Sequence, residues 1–208
     1  MDMLNIITQR LNALPVERIM PLDDEWGEAA VLLAVTMDQV DPEIILTKRA
    51  EHLNSHRGEV AFPGGKWESG DADLLATALR ETHEEIDLSP DLVEVLASLP
   101  VNKTRHSMRV RPYVGLVSSN VILTANPDEL DAVFRVPLRY FLDQSNLTVG
   151  HFVGSDYNLH MPCYIYQGYR IWGFSLLVLV DFLNLTLDAN IQLNYPDGVN
   201  LRPEIDMD

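Results

Sequence analysis

Residues 65–88 read GKWESGDADLLATALRETHEEIDL. The later part predicts a helix over residues 73–86, because apolar side chains recur there at helical spacing and fall within roughly 60° of arc. These side chains belong to Leu75, Leu79, Thr82 and Ile86. Asp71 and Asp73 each offer a carboxylate that can cap the N-terminus of this helix.

Three carboxylates near the end of the predicted helix point away from its apolar side: Glu81, Glu84 and Glu85. Like charges three and four residues apart repel each other, so this cluster requires either a solvated face or bridging cations. Mg²⁺ suits the second case, because it prefers oxygen ligands and keeps waters and substrate phosphates in its shell. A charged outer helix face is the plainer alternative.

Two neighbouring features favour a metal or phosphate site. Arg80 lies one turn before Glu84 and can anchor the carboxylates. Pro63, Gly64 and Gly65 form a tight turn with little side chain, which lets backbone groups approach a metal or a phosphate closely.

The spacing of Gly65, Asp71 and residues 80–88 resembles the Nudix box, the signature of hydrolases that act on nucleoside diphosphates linked to another group. Residues 46–50, Gly58 and residues 62–65 resemble a narrower subgroup, the coenzyme A pyrophosphatases. Three downstream segments are also similar to that subgroup, at residues 126–129, 136–138 and 171–173. The match extends across most of the domain.

The chain departs from these patterns at a few positions. Asp71 replaces the Glu of the general box and lies one residue farther from Arg80, a spacing that the coenzyme A subgroup shares. Asp87 stands where the box usually has Gly, at a helix exit where Asp can adopt a left-handed conformation. Asn54 and Ile45 stand where the subgroup usually has Arg and Leu, and the first of these changes removes a cation expected for a multiply phosphorylated ligand.

The resemblance implies a role for each matching residue. Glu81 and Glu85 would be the principal metal ligands, and Glu84 a further ligand, directly or through water. The carbonyl of Gly65 would complete part of the shell, and Arg80 would hold the glutamates in place.

Residues outside the acidic turn each have a candidate role and a plain alternative. Glu129 is a candidate general base or extra metal ligand, with a plain turn acid as the alternative. Arg49 and Lys66 are candidate phosphate contacts beside Gly64, with solvated surface as the alternative for the two cations.

The expected function is a Mg²⁺- or Mn²⁺-dependent pyrophosphohydrolase acting on coenzyme A or its acyl derivatives. The expected products are adenosine 3′,5′-bisphosphate and 4′-phosphopantetheine. The alternatives are a Nudix hydrolase of NADH, ADP-ribose, nucleotide sugars or dinucleoside polyphosphates, and a non-catalytic Nudix-fold ligand sensor. A pure binder has no need for a mutually repelling carboxylate cluster, which argues against the sensor.

The expected fold is α+β: a Nudix-like α/β/α sandwich around a mixed β-sheet, with an N-terminal helical arm. Strands are predicted at residues 29–35, 43–47 and 58–62 before the central helix, and interleaved strands and helices indicate a sheet covered on both faces. The arm spans residues 1–24, the hydrolase domain 25–190 and a polar tail 191–208. The amphipathic arm is a candidate surface for a homodimer.

Charge and cysteine content exclude several classes. The chain has 15 Lys and Arg against 31 Asp and Glu, a net charge of −16. This balance argues against nucleic-acid backbones and anionic membranes as partners, and it requires a cation wherever an anionic substrate binds. With the single Cys163 and no recognisable signal peptide or membrane span, we expect a cytoplasmic protein and a buried, structural thiol.

Overall fold

The computed structural model of the chain describes residues 2–21, 27–104, 107–153 and 158–196. Within these ranges the strands are β1 Glu28–Thr36, β2 Glu43–Arg49, β3 Val60–Ala61, β4 Gly64–Lys66, β5 Glu94–Ser98, β6 Asn102–Lys103, β7 Arg109–Val117, β8 Leu130–Pro137, β9 Leu147–Val153, β10 Asn158–Tyr166 and β11 Tyr169–Trp172. The helices are α1 Met3–Leu11, α2 Leu74–Ile86, α3 Leu138–Leu142 and α4 Gly173–Leu187.

The main sheet is mixed and forks beside β1. On one side, β1 pairs with β7 in parallel along its whole length. On the other side, β4 pairs antiparallel with the first part of β1, and β2 pairs antiparallel with its later part at Val35 and Ile44. β2 also pairs with β3 and β8. The fork places the short strand β4 beside β2, so their residues can contribute to one site.

Both faces of this sheet are covered. Alternate side chains of β1 point to opposite faces, as the strand geometry requires. Leu32 lies in the apolar cluster that contains α2 residues, and Leu33 lies in the cluster that contains residues of α1 and α4. The predicted α/β/α sandwich around a mixed sheet is therefore confirmed.

The helical arm packs on its own chain. Ile7 and Leu11 on its apolar side are fully buried in the cluster that includes α4, and Arg10 forms an ion pair with Asp188 at the end of α4. The dimer role was expected from an apolar face without an evident partner. This face is occupied within the chain, so that reason for a homodimer is removed.

Several local predictions need correction. The turn expected at residues 63–65 is the start of β4, and the strand expected over residues 58–62 shortens to β3. The strands β9, β10 and β11 form a separate antiparallel sheet, which the sequence did not distinguish from the main one. Ile191, at the start of the predicted polar tail, packs in the core. Residues 1, 22–24 and 197–208 of the predicted arm and tail lie outside the described residues.

Among the helices that the structure describes, none has the length and apolarity needed to cross a membrane.

Candidate metal and diphosphate site

The helix α2 begins and ends as its sequence indicates. The carboxylate of Asp73 accepts a hydrogen bond from the Ala76 N–H at 2.8 Å and caps the N-terminus. Asp87 follows the last turn with φ 57°, in the left-handed region, where the resembling box has Gly. Asp71, the other candidate cap, does not contact the first turn in that way and is paired with Arg80 instead.

Arg80 joins the strand β4, the loop before α2 and two glutamates. Its Nε and Nη2 donate to the two carboxylate oxygens of Asp71 at 2.8 and 3.0 Å, and Nη2 also donates to the Lys66 carbonyl at 3.2 Å. Its Nη1 lies 2.9 Å from Glu84 Oε2 and 3.1 Å from Glu81 Oε1. The guanidinium holds the pKa of Asp71 below its usual range. Arg80 therefore contacts Asp71, Glu81 and Glu84 with one guanidinium.

Glu85 is the buried member of the acidic turn. Its side chain is only 5% exposed, and Oε2 accepts a hydrogen bond from the Gly64 N–H at 3.0 Å. Burial raises the pKa of Glu85 to about 7; the Gly64 amide opposes this shift, and the neighbouring charge of Glu81 adds to it. The Glu85 carboxylate is therefore poorly solvated and poorly compensated.

Glu81 and Glu84 occupy different environments on the same helix. Burial also raises the pKa of Glu81, with Arg80 opposing the shift. A Cβ on Gly65 would lie 2.4 Å from the Glu81 carboxyl carbon, so this carboxylate sits directly against the backbone of β4. Glu84 is 55% exposed and turns toward Arg80 and solvent. The three glutamates are thus not equivalent.

Gly64 is required by the backbone. Its φ is 146°, and a Cβ there would lie 2.3 Å from the carbonyl oxygen of Ala30 on the paired strand β1. Any other residue would force β4 away from β1 and displace the amide that donates to Glu85.

Glu129 reaches the site through the segment before β8. The Asn126 N–H donates to the Glu85 carbonyl at 2.8 Å, and the Ala50 N–H donates to the Glu129 carbonyl at 2.8 Å. These bonds fasten the segment to the end of α2 and to the end of β2. The charge of Glu129 acts on the carboxylates of both Glu81 and Glu85, so the structure brings this residue to the acidic cluster.

Of the two predicted phosphate contacts, only Arg49 approaches the cluster. Its Nη1 lies 3.9 Å from Glu85 Oε1, too far for a hydrogen bond. Its Nε is buried and has no hydrogen-bond partner within the described ranges. Arg49 therefore retains donors for an anion. The Lys66 side chain is exposed, and the contact seen for this residue is its carbonyl to Arg80.

The carboxylates do not converge as a finished metal centre. In the part of the chain that the structure covers, no three His, Cys, Asp or Glu side chains are arranged to hold a metal ion. Glu84 and Glu81 instead lie against the Arg80 guanidinium. What the structure provides is a set of carboxylate oxygens beside the guanidinium of Arg49.

Sequence reasoning missed one part of this arrangement. Asp71 was assigned by spacing and considered as a helix cap, whereas it fixes Arg80 through two hydrogen bonds and accepts another from the Thr77 hydroxyl at 2.9 Å. An acidic residue nine positions before an arginine carries no periodic signal, because the two meet only when the loop folds back on α2. The predicted buried thiol of Cys163 is confirmed.

Comparisons with known proteins agree with this fold. The family model of the NUDIX domain matches residues 27–151. The chain is 38% identical over 151 residues to the protein named Uncharacterized Nudix hydrolase NudL of Enterobacter sp. (strain 638), covering 71% of this chain and 77% of that protein. It is also 38% identical over 167 residues to Nudix hydrolase 15, mitochondrial, of Arabidopsis thaliana, covering 77% of this chain and 59% of that protein.

Among solved structures, the crystal structure of a MutT/nudix family protein from Enterococcus faecalis has a TM-score of 0.50 at 16% identity. The superposition covers 82% of this chain and 66% of that one. This likeness shows the fold.

Proposed function

Because the chain belongs to the Nudix hydrolase family, we propose that it cleaves the diphosphate of coenzyme A or its acyl derivatives with the help of a divalent metal ion. The products of this reaction are adenosine 3′,5′-bisphosphate and 4′-phosphopantetheine. The observation that carries the proposal is the buried carboxylate of Glu85, which faces the charges of Glu81 and Glu129 with only partial compensation. A buried anion of this kind is stabilised when a cation occupies the site.

The donor set fits Mg²⁺ or Mn²⁺. Both ions prefer oxygen ligands, and the site offers carboxylates whose pKa values are raised because their charges are poorly solvated. We assign Glu81 and Glu85 as principal ligands and the Gly65 carbonyl as a further protein ligand. Glu84 is exposed and is assigned as a ligand directly or through water. When bound, the ion supplies charge neutralisation on the diphosphate and a lowered pKa for an attacking water.

The remaining residues hold and orient the reactants. Arg80 is a positioning residue, because its donors are engaged with Asp71, Lys66 and the glutamates. Arg49 binds the diphosphate through its guanidinium, which lies beside Glu85 on a side chain that is 29% exposed. Glu129 accepts the proton of the attacking water or serves as an extra ligand.

Two assignments remain at the edge of the site. Lys66 is exposed and contributes a positive charge on the approach to the diphosphate. Gly64 was assigned to substrate binding, and its amide donates to Glu85. Because its amide is engaged there, Gly64 helps substrate binding only by having no side chain, which lets the substrate approach the β4 backbone closely.

Coenzyme A is favoured among Nudix substrates by the segments at residues 46–65, which resemble the coenzyme A pyrophosphatases. One observation favours a different substrate: the exposed Asn54 stands where that subgroup usually has Arg. NADH, ADP-ribose, nucleotide sugars and dinucleoside polyphosphates are the corresponding candidates. The buried, repelling carboxylates again argue against a non-catalytic sensor.

A substrate panel tests the proposal. Purified protein is incubated with Mg²⁺ and coenzyme A, NADH, ADP-ribose or a dinucleoside polyphosphate, and the products are identified by mass spectrometry. We expect coenzyme A to be cleaved by the wild type and by Glu94→Gln, a control at an exposed acid on β5, and not by Glu85→Gln. Turnover of other substrates alone contradicts the choice of coenzyme A.

A second variant tests the base. In Glu129→Gln at saturating Mg²⁺, we expect kcat to fall by about a hundredfold or more, the contribution typical of general base catalysis. A wild-type kcat in this variant refutes the assignment of Glu129.

A further inference from the structure

The second sheet ends in a strand whose outer edge pairs with no other strand in the described part of the chain. β9 pairs with β10 over all seven of its residues without a bulge, and β11 pairs with the other edge of β10. The outer edge of β9 therefore presents backbone N–H and C=O groups that a further strand could bind.

The sequence of β9 lacks the features that usually protect such an edge. Natural edge strands avoid pairing with other chains by carrying Lys, Pro, a bulge or other charged side chains. β9 reads LTVGHFV and contains no charged residue and no proline. The neighbouring β10 contains no Asp, Glu, Lys or Arg. This edge is therefore competent to pair with another strand.

One face of β9 is exposed and largely apolar. Val149 is 52% exposed and Val153 is 68% exposed, and strand alternation places both on the same face. His151 lies between them and is also exposed. Its ring stacks on that of His160 in β10, with 4.8 Å between the centroids. Covering the two valines would remove apolar surface from water, which favours association at this strand.

Electrostatics favours a second copy of this chain as the occupant of the edge. Each chain has a net charge of −16, so two copies repel each other where their acidic surfaces meet. Neither β9 nor β10 adds a carboxylate to such a contact. Arg170 of β11 lies over the Phe152 ring, on the opposite face of the sheet from the valines. A basic partner would find no acid on β9, whereas a second β9 brings an equally uncharged strand.

We propose that two copies of this chain associate through β9, which pairs antiparallel with its own copy about a two-fold axis at His151. Such pairing of identical strands is isologous, so it closes both free edges in one symmetric dimer. In this register Val149 of each copy lies opposite Val153 of the other, with their Cβ atoms about 5 Å apart. The inference concerns association and does not rest on the proposed reaction.

Sedimentation equilibrium of the full chain tests the dimer. We expect the wild type to have the mass of two chains, and Val149→Lys combined with Val153→Lys to raise the dimer Kd at least about tenfold, because like charges then face each other. Val149→Lys combined with Val153→Glu places opposite charges across the interface and recovers part of the loss. Val40→Lys combined with Ile122→Lys, at two positions 86% and 84% exposed, is the charge-matched control and leaves the Kd unchanged.

Oxidative cross-linking of His151→Cys tests the register. At the proposed axis the two Cα atoms of this position lie about 4.5–5.5 Å apart, a separation that a disulfide spans. We expect a covalent dimer from His151→Cys and none from the wild type, whose Cys163 is buried, or from Glu94→Cys at the exposed acid on β5.

A wild type that stays monomeric up to about 100 μM overturns the inference and leaves the edge to a different chain. A dimer whose Kd is unchanged by Val149→Lys with Val153→Lys also overturns it, because the contact then lies elsewhere. A dimer that this double variant weakens, without cross-linking in His151→Cys, refutes the axis at His151.

Discussion

Glu85 is a buried carboxylate, and burying its charge lowers the free energy of unfolding of the metal-free protein. Replacing its carboxylate by an amide removes the poorly solvated charge and keeps an oxygen that can accept the Gly64 N–H. We expect Glu85→Gln to raise the free energy of unfolding by about 1–2 kcal/mol in chelator at about pH 8, a typical gain from relieving a functional site. Chemical denaturation measures the change.

The exposed acid Glu94 provides the comparison for this experiment. Glu94→Gln on β5 is expected to change the free energy of unfolding by no more than about 0.5 kcal/mol. If Glu85→Gln is less stable than the wild type in chelator, the carboxylate is not under electrostatic stress, and the main argument for a cation at this position is lost.

Asp71 differs from Glu85 in that its pKa is lowered, so its charge stabilises the fold in a pH-dependent way. The Arg80 guanidinium lowers the pKa of this buried carboxyl, so the folded state binds the proton less readily than the unfolded state. The stabilisation is fully present above the unfolded pKa of about 3.9 and is lost as the pH falls through the lower folded value. We expect Asp71→Asn to lower the free energy of unfolding by about 2 kcal/mol near neutral pH, with a smaller difference in acid.

Urea unfolding of Asp71→Asn and wild type across a pH series measures this effect, with the exposed Asp128→Asn as control. A difference between Asp71→Asn and wild type that stays constant from neutral pH into acid contradicts the ion pair as its source.

For individual residues, the sequence predicted which side chains belong to the acidic turn better than it predicted how buried each one is. The spacing around Arg80 indicated its place beside the acidic turn, where it pairs with Glu81 and Glu84. It could not separate the buried Glu85 from the exposed Glu84, because both lie off the apolar stripe of α2. Their difference arises from β4, which covers Glu85 with the Gly64 amide and leaves Glu84 in solvent.

Among the elements, β4 connects the fold to the site. Its Gly65 pairs with Ala30 of β1 and lies against the Glu81 carboxylate, where a Cβ would come within 2.4 Å of the carboxyl carbon. We expect Gly65→Ala to displace Glu81 and to lower kcat by at least tenfold, whereas the thermal midpoint changes by only a few degrees, because the obstructing atoms belong to a movable side chain.

Gly70→Ala is the matched control, since a Cβ at Gly70 meets no atom within 4 Å in the described structure. Gly64→Ala provides the contrast: there the obstacle is the Ala30 backbone, and we expect a loss of about 1–3 kcal/mol of folding stability. Wild-type activity in Gly65→Ala indicates that the position of Glu81 against β4 does not matter for the reaction.

The elements that the sequence predicted are those with strong local patterns. The apolar periodicity of α2 and the apolar runs of β1 and β2 gave their positions to within a few residues. β4 was missed because Gly-Gly-Lys has no strand propensity, and its backbone is extended by pairing with β1. The second sheet was not separated from the first, since strand grouping depends on contacts distant in sequence.

For the whole molecule, the charge of −16 determines how an anionic substrate can be bound at all. Arg49 offers one cation for it, and the carboxylate cluster beside Arg49 repels a diphosphate unless further cations are recruited. The proposed activity therefore depends on one property of the folded chain, the divalent-cation site that we propose on Glu85.

Calorimetric titration of Mn²⁺ into metal-free protein measures that property directly, with no assumption about the substrate. Wild type and Glu94→Gln are predicted to bind Mn²⁺ with the same Kd, and Glu85→Gln to bind it at least about tenfold more weakly, as expected when a principal ligand is lost. Equal Kd values for Glu85→Gln and wild type would contradict the assignment of the acidic turn as the metal site.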